Sequence, residues 1–394
     1  MIRQCAENQP KVLFIFNFIT PYRKTFFEKL CTSPGYNWLL LHGKKSKEDG
    51  RPAYIGELLV PNFQIRFLES KVGSFSIRWQ DQIIPIIKSF QPNLIITLGI
   101  PSILSNWVAM IWAKQHNVKT ITWHCGWESQ SGRRFSLPIK RWISKQFLSL
   151  ADHILVYSTK GANYLAELQE GNSDNITVCY NGLEIDSLLE KEEYYRKSAQ
   201  SLRIEEKVDG KKVFLYVGGM LSEKGVELLI NSFAQFSEKD DIALWLVGDG
   251  PELNKFINIA TARGLKNVKF WGRVIEGVDV FFAAADYFVL PGIGGLALNQ
   301  ALFWKLPCVV SEADGTEDDL VFDNKTGFRF TPNDEISLFL AMKKCLLMSE
   351  KERREFGEIG RDLVLTRSNV NVMVQTFIAT INNLLKESRT NDEI

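Results

Sequence analysis

Two glycine-rich segments of the chain have the composition of phosphate-binding turns. The first, Gly218-Gly219-Met220-Leu221-Ser222-Glu223-Lys224-Gly225, follows the apolar run 213–217. Its paired glycines let backbone approach an anion, and Lys224 sets a positive charge at the mouth of a helix. The second, Pro291-Gly292-Ile293-Gly294-Gly295-Leu296, lies between the apolar run 287–290 and the helical stretch 297–305. Gly292, Gly294 and Gly295 would bare N–H groups at the positive end of that helix and cradle a pyrophosphate. Each segment taken alone is equally a strand-to-helix turn, the first with a surface lysine. Neither forms GxGxxG, and Gly248-Asp249-Gly250 lacks the third glycine, which disfavours a nicotinamide-dependent enzyme. No Asp-x-Asp triplet occurs, so a metal-diphosphate site of paired carboxylates is unsupported. Cys5, Cys31, Cys125, Cys179, Cys308 and Cys345 are too scattered for zinc or redox pairing.

In the first half, the run 119–123 leads into His124-Cys125-Gly126-Trp127-Glu128. A side chain directly after a parallel strand stands at the edge where open α/β sheets bind ligands. His124 therefore reads as ligand-facing, the alternative being a satisfied structural histidine. Trp127 offers a ring to stack on a ligand or to fill a core, and Glu128 a carboxylate for ligand contact or base chemistry. Arg133, Arg134, Lys140, Arg141 and Lys145 fall within thirteen residues with no acid among them, interleaved with Phe135, Ile139 and Trp142. Such a stretch can rest on anionic lipid or be an ordinary solvated helix face. Glu317-Asp318-Asp319 suits a helix start, with contact to a ligand's hydroxyls as the other reading.

Positioning these residues requires parallel sheets. Apolar runs at 11–17, 37–42, 94–98, 119–123, 153–157 and 176–180, then at 213–218, 243–248, 268–271, 287–290 and 307–311, alternate with helical patterns such as 22–31 and 136–150. Short, fully apolar runs separated by helices mean strands covered on both faces, hence two doubly wound α/β domains. The change to a polar, charged pattern over 183–212 places the domain boundary there. Val370, Met373, Val374, Phe377, Ile381, Leu384 and Leu385 recur at helical spacing and need a partner, in their own domain or the first. The expected division is 1–182, 183–368 and a terminal helix over 369–394.

Composition narrows the function classes. Of 394 residues, 47 are basic and 46 acidic, which excludes a dedicated nucleic-acid binder built on cationic excess. Apolar residues at 45% exclude global disorder. The uncharged stretch 89–113 is long enough to span a bilayer. Pro92, Gly99 and Pro101 interrupt it, so a buried strand, a turn and a helix from Ser102 are expected instead. The N-terminal apolar stretch has no small-residue cleavage site and reads as a first core strand. A reducing cytoplasm is the expected compartment.

The order LYVGGMLSEKGVELLI, ALWLVGDGPEL, VKFWGRV, AADYFVLPG, glycine loop and LPCVV closely resembles family 4 glycosyltransferases over roughly 213–330. Tyr180-Asn181-Gly182-Leu183 matches further, and Thr20-Pro21-Tyr22-Arg23 with the following Phe-Phe-x-x-Leu is similar to one branch. The resemblance implies a GT-B architecture of two Rossmann-like domains facing across a cleft, with the terminal helix crossing back. It implies a retaining, metal-independent enzyme with no cofactor, moving sugar from a nucleoside-diphosphate donor (UDP or GDP sugar). The implied acceptor is a glycan or lipid-linked saccharide of cell-surface polysaccharide or lipopolysaccharide assembly. Basic residues 133–145 would give peripheral contact with the inner face of the plasma membrane.

Carried over by position, Gly218, Gly219 and Lys224 lie at the donor diphosphate. Arg273 and Val274 frame the nucleobase, and Gly292, Gly294, Gly295, Leu296 and Gln300 line the donor site. His124 would contact the donor sugar, and with Lys224 it forms the expected catalytic pair. Asn17, Thr20, Tyr22 and Arg23, with Trp127 and Glu128, fall on the acceptor side. Two departures stand out. Family members usually carry Arg at the position of Gly219. They also carry two glutamates eight positions apart, where this chain has Gly292 and Gln300. These losses leave as alternatives a non-catalytic sugar-nucleotide-binding subunit and a GT-B-shaped sugar-nucleotide epimerase.

Overall fold

Alternating apolar runs and amphipathic stretches fold as parallel strands under helices because that arrangement buries both faces of each sheet. The computed structural model describes residues 9–43, 53–72, 75–126, 137–237 and 240–392. The chain divides into two compact units, Met1–Tyr180 with Val370–Ile394, and Asn181–Asn369.

The first unit contains strands β1 (Lys11–Phe16), β2 (Asn37–Gly43), β3 (Asn62–Ile65), β4 (Phe67–Val72), β5 (Phe75–Gln80), β6 (Leu94–Leu98), β7 (Lys119–His124), β8 (His153–Val156) and β9 (Ile176–Val178). Seven of them form one parallel sheet in the order β3-β2-β1-β6-β7-β8-β9, and β4 pairs antiparallel with β5. The uncharged stretch 89–113 resolves into β6, buried at all five positions, and the helix Leu104–Gln115. Among the described residues no helix is long and apolar enough to cross a membrane. Three strands of this unit were not foreseen, nor was the strand Gly327–Phe330 of the second unit. β3 carries only one buried residue, and β4 and β5 mix charged with apolar side chains, so none has the apolar run of a central strand.

The second unit contains β10 (Lys212–Val217), β11 (Ile242–Val247), β12 (Val268–Gly272), β13 (Tyr287–Leu290), β14 (Cys308–Ser311) and β15 (Gly327–Phe330), in the parallel order β12-β11-β10-β13-β14-β15. The charged stretch 183–212 lies within the second unit. The units part at Tyr180 and Asn181. The stretch forms the helices Asp186–Glu190 and Glu192–Glu205, which belong to the second unit. Tyr195, Ala199 and Leu202 give the longer helix an apolar stripe. At its end Arg203 donates to the carbonyls of Ala284 (2.6 Å), Val208 (3.0 Å) and Lys211 (2.7 Å). A helix with so few apolar residues is held by ion pairs and carbonyl contacts that no local pattern announces.

The last helix, Val370–Asp392, packs in the first unit. Val370, Met373, Phe377 and Ile381 are almost fully enclosed. Phe377 lies 5.2 Å from Phe26, 5.3 Å from Trp123 and 6.0 Å from Phe14, ring centre to ring centre. Lys29 and Tyr36 reinforce the seam through Asn371 (2.7 Å) and Asn382 (2.6 Å).

Candidate functional site

Strand order reverses at β10, which has β11 on one side and β13 on the other. Ligands of open α/β sheets bind at such a switch point, beyond the strands' carboxyl ends. The loops after β10 and β13 meet there. Lys224 ends the short 3-10 turn Ser222–Lys224, and its Nζ donates to the carbonyls of Ile293 (2.8 Å) and Gly294 (3.2 Å). The amide of Ile293 donates in return to the Glu223 carbonyl at 3.3 Å. Lys224 thus clamps the glycine loop while its charge stays at the site.

Gly292 is required by close approach. A Cβ there would stand 2.4 Å from the Glu223 oxygen and 2.8 Å from the Lys224 carbonyl carbon. A glutamate at this position, as in the resembled family, is sterically shut out by the β10 loop. Gly219 is the opposite case, since a Cβ there would meet nothing nearer than Leu221 Cδ1 at 3.4 Å. Gly218 donates to the Val247 carbonyl (3.0 Å), which ties the loop to β11. Gly295 opens the helix Leu296–Phe303 in extended conformation with nothing within 4 Å of a Cβ, and a Cβ on Gly294 would meet only Leu290 and Asp314, at 3.4 and 3.9 Å. The amides of Leu296 and Ala297, at the start of that helix, have no helical acceptor and bear the positive end of its dipole.

Gln300 lies one turn further along. Its Nε2 donates to Asp279 Oδ1 at 2.6 Å, and the same oxygen accepts Trp304 Nε1 at 2.8 Å. Asp279 carries no motif and was missed. It explains why an amide suits position 300, since a second carboxylate would repel it. Arg273 is exposed after β12, the edge strand, while Val274 packs on the core. Among the described residues no hydrogen bond or ion pair joins Arg273 to the glycine loops. The acidic run is spoken for: Glu317 folds back onto the amides of Ala313 (2.5 Å) and Gly315 (3.1 Å), Asp318 pairs with Arg329, and Asp319 with Arg367. Among the described residues no group of three His, Cys, Asp or Glu could hold a metal ion.

In the first unit, His124 is the last residue of β7 and almost fully enclosed. The Gly126 amide donates to its Nδ1 at 2.8 Å, so the ring proton sits on Nε2 as a donor. Burial pushes its pKa down to about 4, which keeps the ring neutral. Gly99, also missed, makes room for it, because a Cβ there would stand 2.5 Å from His124 Cδ2. Asn17 turns back on its own chain, Oδ1 accepting from the Phe18 amide at 2.7 Å. Thr20 is buried with no partner for its hydroxyl among the described residues, and Tyr22 is exposed. Arg23 is buried, its guanidinium carbon 4.7 Å from the centre of the Trp123 ring. Trp127, Glu128, Arg133 and Arg134 lie outside the described residues. On the helix Leu137–Leu148, Lys145 pairs with Glu170, while Arg141 is exposed between Ile139 and Trp142, also exposed.

Fold and site together define a protein of two Rossmann-like α/β domains, the second carrying a lysine-clamped pair of glycine-rich loops at its switch point. A family model described as Glycosyltransferase Family 4 matches residues 42–187, and one described as Glycosyl transferases group 1 matches residues 197–363. The chain belongs to this glycosyltransferase family and has its GT-B fold. N-acetyl-alpha-D-glucosaminyl L-malate synthase of Bacillus anthracis is 23% identical over 248 residues, 61% of each chain. Anabaena Alr3699/HepE in complex with UDP is similar in structure, with a TM-score of 0.74 and 17% identity, covering 95% of this chain and 100% of that one. The same protein with UDP-glucose gives 0.69 and 16%, over 95% and 99%. The lipopolysaccharide outer core galactosyltransferase WaaB gives a TM-score of 0.68 at 16% identity, over 95% and 99%. The chain spans 54% to 61% of the length of the first curated relatives it matches.

Proposed function

We propose that this protein is a retaining glycosyltransferase that takes sugar from a UDP or GDP sugar bound by the second unit. The observation that carries the reading is the lysine-clamped meeting of the 218–225 and 291–295 loops at the β10/β13 switch point. As the bond from the anomeric carbon to the β-phosphate oxygen breaks, negative charge grows on the diphosphate. Lys224 and the amides at the mouth of Leu296–Phe303 stabilise that charge. The acceptor hydroxyl oxygen forms the new bond, and its proton passes to a donor phosphate oxygen and leaves with the nucleoside diphosphate. No metal or cofactor enters this scheme. His124, neutral and donating from Nε2, orients the sugar and does not exchange protons. UDP and UDP-glucose in the Anabaena neighbour support the donor class, and the lipopolysaccharide galactosyltransferase supports a saccharide or lipid-linked acceptor. Exposed Ile139, Arg141 and Trp142 fit peripheral contact with an anionic membrane.

Titration with UDP, GDP and ADP followed by thermal unfolding tests the donor site. One of them at 100 times its Kd should stabilise the fold by ~2.7 kcal/mol. Lys224→Ala should lower turnover of the sugar nucleotide ~100-fold or more. Binding with neither transfer to any acceptor nor hydrolysis of the sugar nucleotide would favour a non-catalytic sugar-nucleotide-binding subunit. That second reading draws on the absence of side chains at Gly219 and Gly292.

A further inference from the structure

Arg23 is only 6% exposed, yet no carboxylate pairs with it among the described residues. Its Nη1 has a single, soft partner, the Met373 sulfur at 3.7 Å. Three aromatic rings lie close to it: those of Trp123, Tyr22 and Tyr157 are 4.7, 5.6 and 5.7 Å from the guanidinium carbon. Cation–π contact offsets part of the cost of burying the charge but satisfies none of the five N–H donors. Buried arginines are ordinarily paired, because an uncompensated charge out of water is strongly unfavourable. The Thr20 hydroxyl and the Trp123 indole N–H are enclosed too, with no hydrogen-bond partner among the described residues.

The position of this unpaired charge is informative. Arg23 ends the 3-10 turn Pro21–Arg23 that follows β1, and it stacks on Trp123, the neighbour of His124 at the end of β7. It therefore lies at the carboxyl edge of the first unit's sheet, where an open α/β fold receives ligands. A planar guanidinium with free donors is built to grip a phosphate or carboxylate through two parallel hydrogen bonds.

We infer that Arg23 forms an oxyanion site in the first unit, and that the acceptor carries a phosphate or carboxylate group which this site holds. The acceptor half of this statement rests on the glycosyltransferase reading; the anion site does not. In the absence of ligand the stacked, unpaired arginine is a local weakness of the fold, and an arriving oxyanion completes it.

The test is a thermal-unfolding titration of the full chain with inorganic phosphate, succinate and glucose 6-phosphate. Saturating UDP is present so that the donor site is filled. Wild type should gain stability with at least one of these probes. Arg23→Met, which keeps the volume and removes the charge, should weaken that response roughly tenfold or more while leaving the UDP response intact. Arg23→Lys should retain a weaker response, since it keeps the charge but not the fork. Without ligand, Arg23→Met should unfold at or above the wild-type temperature, which separates lost binding from lost folding. An equal response in wild type and Arg23→Met, or no response of wild type to any of the three, overturns the inference. The UDP shift read in the same runs reports on the donor site separately.

Discussion

Substituting Gly292 is the most direct probe of how the donor loops are built. A methyl group at this position would sit 2.4 Å from the Glu223 oxygen, about 1 Å inside ordinary contact. Neither neighbour is a flexible side-chain end, so one loop backbone must move. That movement opens the Ile293-to-Glu223 hydrogen bond (3.3 Å) and the two Lys224 contacts at 2.8 and 3.2 Å. Overpacking costs roughly 1–3 kcal/mol and a lost charge-assisted hydrogen bond roughly 1.5–3 kcal/mol, so Gly292→Ala should destabilise by about 3 kcal/mol. Gly295→Ala is the control, because Gly295 is extended and nothing lies within 4 Å of its Cβ position. It should cost under ~1 kcal/mol. Urea unfolding of both variants measures the difference, and calorimetry with UDP should show at least a tenfold affinity loss for Gly292→Ala alone. If the two variants match in stability and in UDP affinity, the loops do not pack as described and the clamp argument fails.

Three further outcomes are expected. Gly219→Arg, which restores the side chain usual in the resembled family, has room and should leave stability within ~0.5 kcal/mol while tightening UDP about tenfold; a destabilised variant would show the space to be illusory. Gln300→Glu sets a carboxylate against Asp279 in place of a 2.6 Å hydrogen bond and should destabilise by ~2 kcal/mol at neutral pH, less on acidification, by urea unfolding at two pH values. His124 titrates near 6.5 in the unfolded chain and at about 4 when buried, so the unfolded state binds the extra proton between these values. Stability should therefore fall as pH drops from 6.5 to 4, by roughly 3 kcal/mol in total. His124→Gln should flatten that limb by about one proton's worth, and an unchanged slope would place the acid sensitivity elsewhere.

The sequence by itself determined the two doubly wound sheets and the place of their ligand loops. A buried parallel strand must be continuously apolar and a covering helix must be amphipathic, and both patterns are local. The glycines and Lys224 were legible for the same reason, since they directly follow strands. What only the tertiary structure decided lies between residues far apart in the chain. Lys224 gripping Ile293, and position 292 closed by Glu223, join segments about seventy residues distant. Asp279 choosing an amide at Gln300, and Gly99 yielding space to His124, likewise have no local signature. The apolar stripe of the last helix was visible at once, but the sheet that covers it was not, because periodicity states that a face is buried and not against what. Arg23 shows the limit most plainly: nothing in Thr-Pro-Tyr-Arg reveals a buried cation, and only the packing of Trp123, Tyr157 and Met373 around it shows a charge with no carboxylate partner among the described residues.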